Sequence, residues 1–289
     1  MRLILIGGAQ RSGTTLLQTL LANALDSPVL PEAHILADIL AVFKRAKEFG
    51  NKTRFVYSTA DDLLSFFRPF AQRYIADVIA STGHVSALVL KDPHFVEFLD
   101  EASALFVEPI RVVCIRDPLD IAASFVQIGQ RQPMGGKPTK YQKRDIEFIS
   151  KKILTFYSSL MNSKQTSVLA RYEDLASKPR ETLQALARDT GLELSLNRID
   201  KPVWLEKDAR HEASWVTELE GQKPSPASIG SFKRVLRADE VAIVQKICRP
   251  IMMRFGYAPE VPLPQFRHGL NVETRAFQTL PKMERLNAA

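Results

Sequence analysis

Cysteine is scarce in this sequence, and long apolar runs are missing from it. Cys114 and Cys248 are the two cysteines among 289 residues, too few for a disulfide framework. No stretch approaches the roughly 18 consecutive apolar residues of a membrane-spanning helix, and the opening run at residues 3–6 is shorter than the apolar part of a signal peptide. These absences predict a cytoplasmic protein with reduced thiols and no membrane partner.

Metal-binding and catalytic-triad patterns are also absent. No spacing of cysteine and histidine suggests a metal site, and no serine, histidine and aspartate set stands out, so we expect no metal. The sequence has no low-complexity tract, and 45% hydrophobic with 25% charged residues is the composition of a globular protein. Positive charge is in excess, with a formal charge of +7 and a pI near 9.4. This excess fits a nucleotide or nucleic-acid ligand, or a merely basic surface.

Short apolar runs alternate with segments of helical periodicity along the chain. The apolar runs lie at residues 3–6, 87–90, 112–115 and 167–169, and helical periodicity covers residues 14–24, 61–80, 145–161, 179–190 and 238–255. Near-continuous apolar strands are typical of a parallel sheet that is buried on both faces. The alternation therefore predicts an α/β fold with a central parallel sheet flanked by helices in three layers. We expect one domain over residues 1–258 and a C-terminal extension over residues 259–289.

The most specific motif is a glycine-spaced loop between the first strand and the first helix. It reads Gly8-Ala-Gln-Arg-Ser-Gly13-Thr-Thr15, which has the spacing of the phosphate-binding loop G-x-x-x-x-G-K-[ST]. Glycines allow backbone N–H groups to surround an anion, and the helix adds its positive end. Thr14 stands where a nucleotide hydrolase has lysine, and a cation occurs earlier, at Arg11. The loop therefore predicts a nucleotide-type anion bound without metal, rather than a nucleic acid.

Two strand ends share one pattern. Lys91-Asp-Pro93 and Arg116-Asp-Pro118 each place a cation at the carboxyl end of a strand, followed by an aspartate that suits a helix N-cap and a proline that suits the first helical position. In an open parallel sheet, ligands bind in the crevice beyond the carboxyl ends of the strands. We therefore expect Lys91 and Arg116 to point into the same crevice as the glycine loop.

Two motifs together resemble those of sulfotransferases that use 3′-phosphoadenosine 5′-phosphosulfate (PAPS). Arg11-Ser-Gly-Thr-Thr15 resembles their 5′-phosphosulfate loop, and Arg116-Asp-Pro-Leu-Asp-Ile-Ala-Ala-Ser124 resembles their 3′-phosphate motif. Helical spacing supports the second match, because Ser124 lies two turns beyond Asp117 on the same face and can share the crevice with Arg116. Over residues 3–257 the pattern is most similar to the tyrosylprotein sulfotransferases and their bacterial relatives.

The resemblance implies the sulfotransferase variant of the P-loop fold, PAPS as co-substrate and a role for individual residues. Glu32 is implied as the catalytic base that takes the proton of an acceptor hydroxyl, while Arg11 and Lys91 stabilise the transferring group and the leaving phosphate. The implied PAPS contacts are Arg11, Ser12, Gly13, Thr14, Thr15, Leu16, Arg116, Ser124 and Tyr172, with Lys223 as a weaker contact.

Departures from the tyrosylprotein pattern leave the acceptor open. Ile128 stands where that branch has a further arginine, and Ala33-His34 follows Glu32 in place of the branch's usual residues. A glutamate with a histidine two residues later also occurs in some bacterial sulfotransferases that act on small-molecule or carrier-bound hydroxyls. The acceptor is therefore a tyrosine, a phenol or such a hydroxyl. Irregular segments rich in lysine and arginine, at residues 43–59, 130–143 and 204–228, are expected to form the lid and the acceptor pocket.

Glu32 and His34 compete for the role of base. If the segment that carries them is extended, both side chains point the same way and face the acceptor. Nearby cations oppose the charge that a histidine gains with a proton, whereas a carboxylate is neutralised by one, so we expect Glu32 to be the base and His34 to orient it or the acceptor. Whether His34, His94 or His211 takes part in the chemistry is not settled by the sequence.

Two other functions are weighed against sulfuryl transfer. A nucleotide or small-molecule kinase on the same scaffold needs a loop lysine and a pair of metal ligands, which the sequence does not show. A non-catalytic nucleotide-binding regulator would keep Arg116 and Ser124 but has no reason to place Glu32 and Lys91 at the sulfuryl end. The oligomeric state stays undetermined.

Overall fold

The computed structural model describes residues 1–50, 52–132, 138–199 and 222–260. Within these ranges lie strands β1 (Arg2–Gly8), β2 (Ala87–Lys91), β3 (Ile110–Ile115) and β4 (Val168–Arg171). The helices are α1 (Thr14–Ala24), α2 (His34–Glu48), α3 (Ala60–Thr82), α4 (Leu99–Leu105), α5 (Pro118–Arg131), α6 (Ile146–Asn162), α7 (Tyr172–Ser177), α8 (Pro179–Thr190), α9 (Phe232–Val235) and α10 (Ala238–Phe255). Short 3₁₀ helices cover Thr53–Phe55, Pro93–Glu97, Leu196–Arg198 and Pro226–Ser228.

The four strands form one parallel sheet in the order β2-β1-β3-β4. The register pairs Ile6 with Lys91, Gly8 with Cys114 and Ile115 with Arg171, so the carboxyl ends meet along one edge. The chain leaves β1 to form β2 on one side and later returns to form β3 on the other side. The loop after β1 therefore lies at the point where the strand order reverses, which is where open α/β sheets bind their ligands.

Helices cover both faces of the sheet, as the apolar strands predict. Alternate residues of β3 enter different cores: Cys114 packs in the cluster that contains Leu17 of α1, and Val113 packs in the cluster that contains Phe125 of α5. A third cluster joins α2, α3 and α4 to the β2 edge. Burial of a large apolar side chain contributes about 1.5–3 kcal/mol, so the two faces together hold the strand ends in place. None of the helices in the described ranges is long and apolar enough to cross a membrane.

Several elements differ from their sequence-based bounds. Strand β1 continues through Gly7 and Gly8, because both residues pair with β3, and a Cβ on Gly7 would lie 2.5 Å from the backbone nitrogen of Val96. The segment after Glu32 is helical rather than extended, since α2 begins at His34. Part of the supposedly irregular segment at residues 43–59 is also helical, ending α2 and forming the 3₁₀ helix Thr53–Phe55. The reason for α2 is a buried stripe with helical spacing, formed by Leu36, Leu40 and Phe43.

Candidate active site

The loop after β1 is shaped by three residues with positive φ: Gly8 at 153°, Arg11 at 72° and Gly13 at 100°. A Cβ on Gly8 would lie 2.5 Å from the carbonyl oxygen of Cys114, and one on Gly13 would lie 2.3 Å from the ring of Tyr172. Both glycines are therefore required by packing as well as by conformation. Gly13 is the N-cap of α1 and supplies no side-chain cap, so the N–H groups of the first turn face the crevice as an anion-binding site.

Arg11 joins this loop to the start of α5. Its Nε donates to Oγ of Ser124 at 3.2 Å, and its carbonyl oxygen accepts from a terminal nitrogen of Arg116 at 3.0 Å. Arg11 adopts a left-handed conformation without being glycine, a strain of the kind found at ligand-binding turns. The structure thus places Arg116 and Ser124 in one crevice beside the glycine loop, as the spacing predicts.

Arg116 is a buried cation, 6% exposed, with an open donor. Its second terminal nitrogen donates to the carbonyl oxygen of Ser228 at 3.1 Å, and its guanidinium lies 4.2 Å from the ring centroid of Tyr172. Among the described residues, its buried Nε has no hydrogen-bond partner. A buried guanidinium with an open N–H group fits a phosphate oxygen, because planar N–H donors match oxyanions closely.

A second loop, at residues 225–232, lies against Arg116, and two side chains hold it in place. Tyr172 begins helix α7, and its hydroxyl lies 2.5 Å from Oγ of Ser228. Buried Asp120 accepts from the backbone nitrogens of Gly230 and Phe232 at 2.8 and 3.1 Å and from the hydroxyl of Ser231 at 3.1 Å. Asp120 is not among the residues predicted from the sequence. The signal for it was an acidic residue on the apolar face of α5, where a lone carboxylate needs partners.

Lys91, at the end of β2, connects the loop to the predicted base. Its Nζ donates to Oε1 of Glu32 at 2.7 Å and to Oγ1 of Thr15 at 3.3 Å. The backbone nitrogen of Ala33 donates to the carbonyl oxygen of Lys91 at 2.9 Å, which fixes Glu32 beside this strand end. Because the lysine side chain is only 5% exposed, its ammonium group depends on these partners for compensation of its charge.

His34 and Asp92 extend this cluster. Nε2 of His34 lies 3.3 Å from Oε2 of Glu32, and Nδ1 lies 2.7 Å from Oδ2 of Asp92. The other oxygen of Asp92 caps the 3₁₀ helix by accepting from the backbone nitrogen of His94 at 2.9 Å. Burial raises the pKa of Asp92, and nearby Glu32 raises it further, while the bond from His94 and the charge of His34 oppose the shift. Asp92 was predicted as an N-cap only, and its contact with His34 is new.

Glu32, His34 and Asp92 are the group in the described ranges whose ligand atoms come close enough for a metal ion, within 4.8 Å of one another. The contacts do not favour one. The histidine turns a different nitrogen to each carboxylate, whereas a metal receives one nitrogen from a histidine. Lys91 also occupies one oxygen of Glu32. The cluster is a series of close contacts between ionisable side chains, and its arrangement differs from that of a coordination shell.

The remaining predicted residues are distributed around the loop. Ser12 and Thr14 are buried, Leu16 packs against the cluster beneath α1, and Lys223 is exposed. His94 bonds Oε1 of Glu97 at 2.7 Å, which raises the pKa of the imidazole. Several predicted segments fall partly outside the described residues, among them those at residues 130–143 and 204–228, and the C-terminal extension, which is described only to residue 260. His211 lies outside the described residues.

Comparison with known proteins identifies relatives of this arrangement. The model of the sulfotransferase family matches residues 4–195. Protein-tyrosine sulfotransferase 2 from Gallus gallus is 23% identical over 273 residues, which cover 93% of this chain and 72% of the relative. The sulfotransferase domain of an olefin synthase from Synechococcus PCC 7002 has a TM-score of 0.59 at 19% identity, covering 91% of this chain and 96% of that domain. The sulfotransferase domain from the curacin biosynthetic pathway has a TM-score of 0.50 at 19% identity, covering 86% of this chain and 97% of that domain.

Proposed function

The chain belongs to the sulfotransferase family, and we propose that it transfers a sulfuryl group from PAPS to an acceptor hydroxyl with Glu32 as the base. One observation carries the proposal. The glycine loop lies between two buried strand-end cations, of which Lys91 contacts the carboxylate of Glu32 and Arg116 lies against Arg11 of the loop. A ligand with a phosphosulfate at one end and a second phosphate at the other matches this spacing of positive charge.

The residues of the crevice suit the two anionic ends of PAPS. The N–H groups at the start of α1 and the hydroxyls of Thr14 and Thr15 would hold the 5′-phosphosulfate. Arg116, with its open Nε, and Ser124 would hold the 3′-phosphate. Tyr172 keeps the guanidinium of Arg116 in place by lying against it, so the phosphate site is formed in advance. Lys223 is exposed and stays a predicted contact of the cofactor.

The proposed reaction is an in-line displacement at sulfur. The acceptor oxygen forms a bond to sulfur, the bond between sulfur and the phosphate oxygen breaks, and 3′-phosphoadenosine 5′-phosphate (PAP) leaves. By analogy with phosphoryl transfer, the transition state is loose and anionic, so most of the rate enhancement comes from positioning and charge stabilisation. Lys91 and Arg11 supply positive charge beside the loop. Glu32 takes the hydroxyl proton, which contributes about 10²–10⁴-fold.

Two acceptor classes are supported by different relatives. The chicken relative is named a protein-tyrosine sulfotransferase, which favours a tyrosine or phenol. The solved domains belong to an olefin synthase and to the curacin pathway, which favours a small-molecule or carrier-bound hydroxyl. We also propose a cytoplasmic location, which the scarcity of cysteine supports.

Two measurements test this proposal. Incubation with PAPS and a panel of phenols, sugars and acidic tyrosine peptides, followed by mass spectrometry, should reveal a sulfated product from one class. The thermal stability of the protein should rise far more with PAP than with AMP or ADP, because neither AMP nor ADP has a 3′-phosphate for Arg116 and Ser124. Equal stabilisation by all three nucleotides would reject the 3′-phosphate site.

A further inference from the structure

Four side chains form a continuous series of contacts at the β2 end of the crevice. Nζ of Lys91 lies 2.7 Å from Oε1 of Glu32, the other oxygen of Glu32 lies 3.3 Å from Nε2 of His34, and Nδ1 of His34 lies 2.7 Å from Oδ2 of Asp92. Exposure changes along the series. The side chain of Asp92 is fully buried, that of Glu32 is 22% exposed, and that of His34 is 67% exposed. The imidazole therefore connects a buried carboxylate, the predicted base and solvent.

The positions of the two carboxylates indicate which nitrogen of His34 carries the proton. Nδ1 and Oδ2 lie at ion-pair distance but are not aligned as a hydrogen bond, since the buried Oδ2 has no hydrogen-bond partner among the described residues. A carboxylate oxygen 2.7 Å away still favours the proton on Nδ1, and a neutral imidazole with its proton there presents an unprotonated Nε2 to Glu32. Two acceptors then face each other, and the distance of 3.3 Å between Nε2 and the carboxylate exceeds that of a usual N–H···O hydrogen bond, about 2.9–3.0 Å. The contact becomes favourable when a proton lies between them. That state arises when Glu32 has taken the proton of the acceptor hydroxyl.

We propose that Asp92 is a positioning residue that holds His34 in the Nδ1–H tautomer, and that His34 relays to solvent the proton that Glu32 takes from the acceptor. The proposal rests on the proposed function of Glu32. As the acceptor oxygen bonds to sulfur, its proton moves to Glu32 and then to Nε2 of His34. The imidazolium loses that same proton to water, which restores Glu32 as a carboxylate for the next turnover.

The charged surroundings are consistent with this assignment. Glu32 and Asp92, on the two sides of the imidazole, both stabilise the imidazolium that forms during the relay. Lys91 lies on the far side of Glu32 and favours its return to the carboxylate form. Tyr74 and His94 also lie close enough to interact electrostatically with Asp92.

The first test is the tautomer of His34, measured by ¹⁵N NMR on the full chain with PAP present. We expect the wild-type imidazole to carry its proton on Nδ1. In Asp92→Asn the amide can keep the bond from the backbone of His94, but its NH₂ group donates toward Nδ1 and drives the proton to Nε2. His94, held by Glu97, serves as the internal control and should not change. A wild-type His34 protonated on Nε2, or a tautomer unchanged in Asp92→Asn, overturns the proposal.

The second test is kinetic and uses two phenols, one ionised at the assay pH and one not. Asp92→Asn and His34→Gln should each lower kcat by about tenfold with the un-ionised phenol, since wrong placement of a proton carrier weakens general base catalysis. Both should be near wild type with the ionised phenol, which has no proton to give. KM for PAPS should be unchanged, and His94→Gln should match wild type on both phenols.

The outcomes separate this inference from the proposed function. Equal losses on both phenols would mean a structural role and overturn the relay. Failure of the wild type to sulfate any phenol or hydroxyl in the panel would count against the proposed acceptor chemistry. The tautomer measurement needs no turnover, so it decides the placement by Asp92 in either case.

Discussion

The two strand ends carry the same three-residue pattern and are connected in opposite ways. At the end of β2, Lys91 contacts the side chains of Glu32 and Thr15. At the end of β3, Arg116 contacts two backbone carbonyl oxygens and the ring of Tyr172. Side-chain partners can change protonation during a reaction, whereas backbone partners cannot. We infer that the β2 end performs the proton chemistry and that the β3 end holds the nucleotide.

Asp92 and Asp117, the aspartates of the two patterns, also differ in their partners. Asp92 caps a 3₁₀ helix and also touches the exposed His34, which links it to solvent. Asp117 caps α5 through the backbone nitrogen of Leu119 at 2.9 Å, and burial raises its pKa to about 7, with Asp120 and Glu173 adding to the shift. One sequence pattern therefore yields an aspartate in contact with an exposed histidine in one place and a cap with a raised pKa in the other.

The largest expected effect is at the β2 end. Glu32→Gln should lower kcat by at least about 10²-fold while PAP binding is retained, because the amide cannot accept the hydroxyl proton. Glu97→Gln is a matched control, since Glu97 is also 22% exposed and also has a partner at 2.7 Å. Steady-state kinetics and a PAP-dependent thermal shift provide both readouts.

Replacement of the neighbouring histidine decides which residue is the base. If His34 relays the proton rather than abstracting it, His34→Ala should retain more activity than Glu32→Gln. An inactive His34→Ala beside an active Glu32→Gln would show that the base is assigned to the wrong residue.

A smaller effect is expected at the β3 end, and on binding instead of turnover. Ser124→Ala removes the hydroxyl that accepts from Nε of Arg11, and a charge-assisted contact is worth about 1.5–3 kcal/mol. We therefore expect PAP to bind about tenfold or more weakly, with AMP binding unchanged. Isothermal titration of both nucleotides, with the exposed Ser81→Ala as control, measures the selectivity. An equal loss for PAP and AMP would contradict a 3′-phosphate site at Ser124.

The cap of α5 sets a pH dependence of stability. The pKa of Asp117 is raised from 3.8 to about 7, so between these values the folded chain binds the proton more tightly, and the stabilising contribution of this group is lost as pH rises. Asp117→Asn keeps an acceptor for the cap without a buried charge. We expect it to raise the free energy of unfolding at pH 8 by roughly 1–4 kcal/mol and to change it little at pH 4. Denaturant titrations at both pH values test this, and a destabilised variant at pH 8 would argue that the charge is needed.

The smallest effect is expected from metal removal. Because Thr14 replaces the loop lysine and the histidine contacts do not form a coordination shell, turnover should be the same with and without excess EDTA. An absolute requirement for Mg²⁺ would favour the kinase alternative and contradict the roles assigned to the two strand ends.

Much of this arrangement is predictable because it depends on local patterns. Apolar runs and glycine spacing locate the sheet and the loop, and the caps at Asp92 and Asp117 form as their sequence contexts predict. The spacing of Arg116 and Ser124 places both beside the loop, since seven residues of helix return to the same face.

Contacts between distant segments could not be predicted in the same way. Asp120 holds Gly230, Ser231 and Phe232 across about a hundred residues of chain, and nothing local to either segment indicates this pairing. The contact between His34 and Asp92 depends on α2 beginning at His34, whereas only an extended segment was considered there from the sequence. Tertiary packing of the stripe on α2 determined that outcome.

The central claim is that the β2 end performs proton chemistry and the β3 end holds the nucleotide. A double-mutant experiment with two readouts tests it most directly. kcat and the PAP-induced rise in melting temperature are measured for wild type, Glu32→Gln, Ser124→Ala and the double variant. We predict that Glu32→Gln loses kcat and keeps the PAP shift, that Ser124→Ala loses most of the PAP shift and keeps kcat at saturating PAPS, and that the two losses add in the double variant. Loss of the PAP shift in Glu32→Gln, together with loss of kcat in Ser124→Ala, would contradict the account.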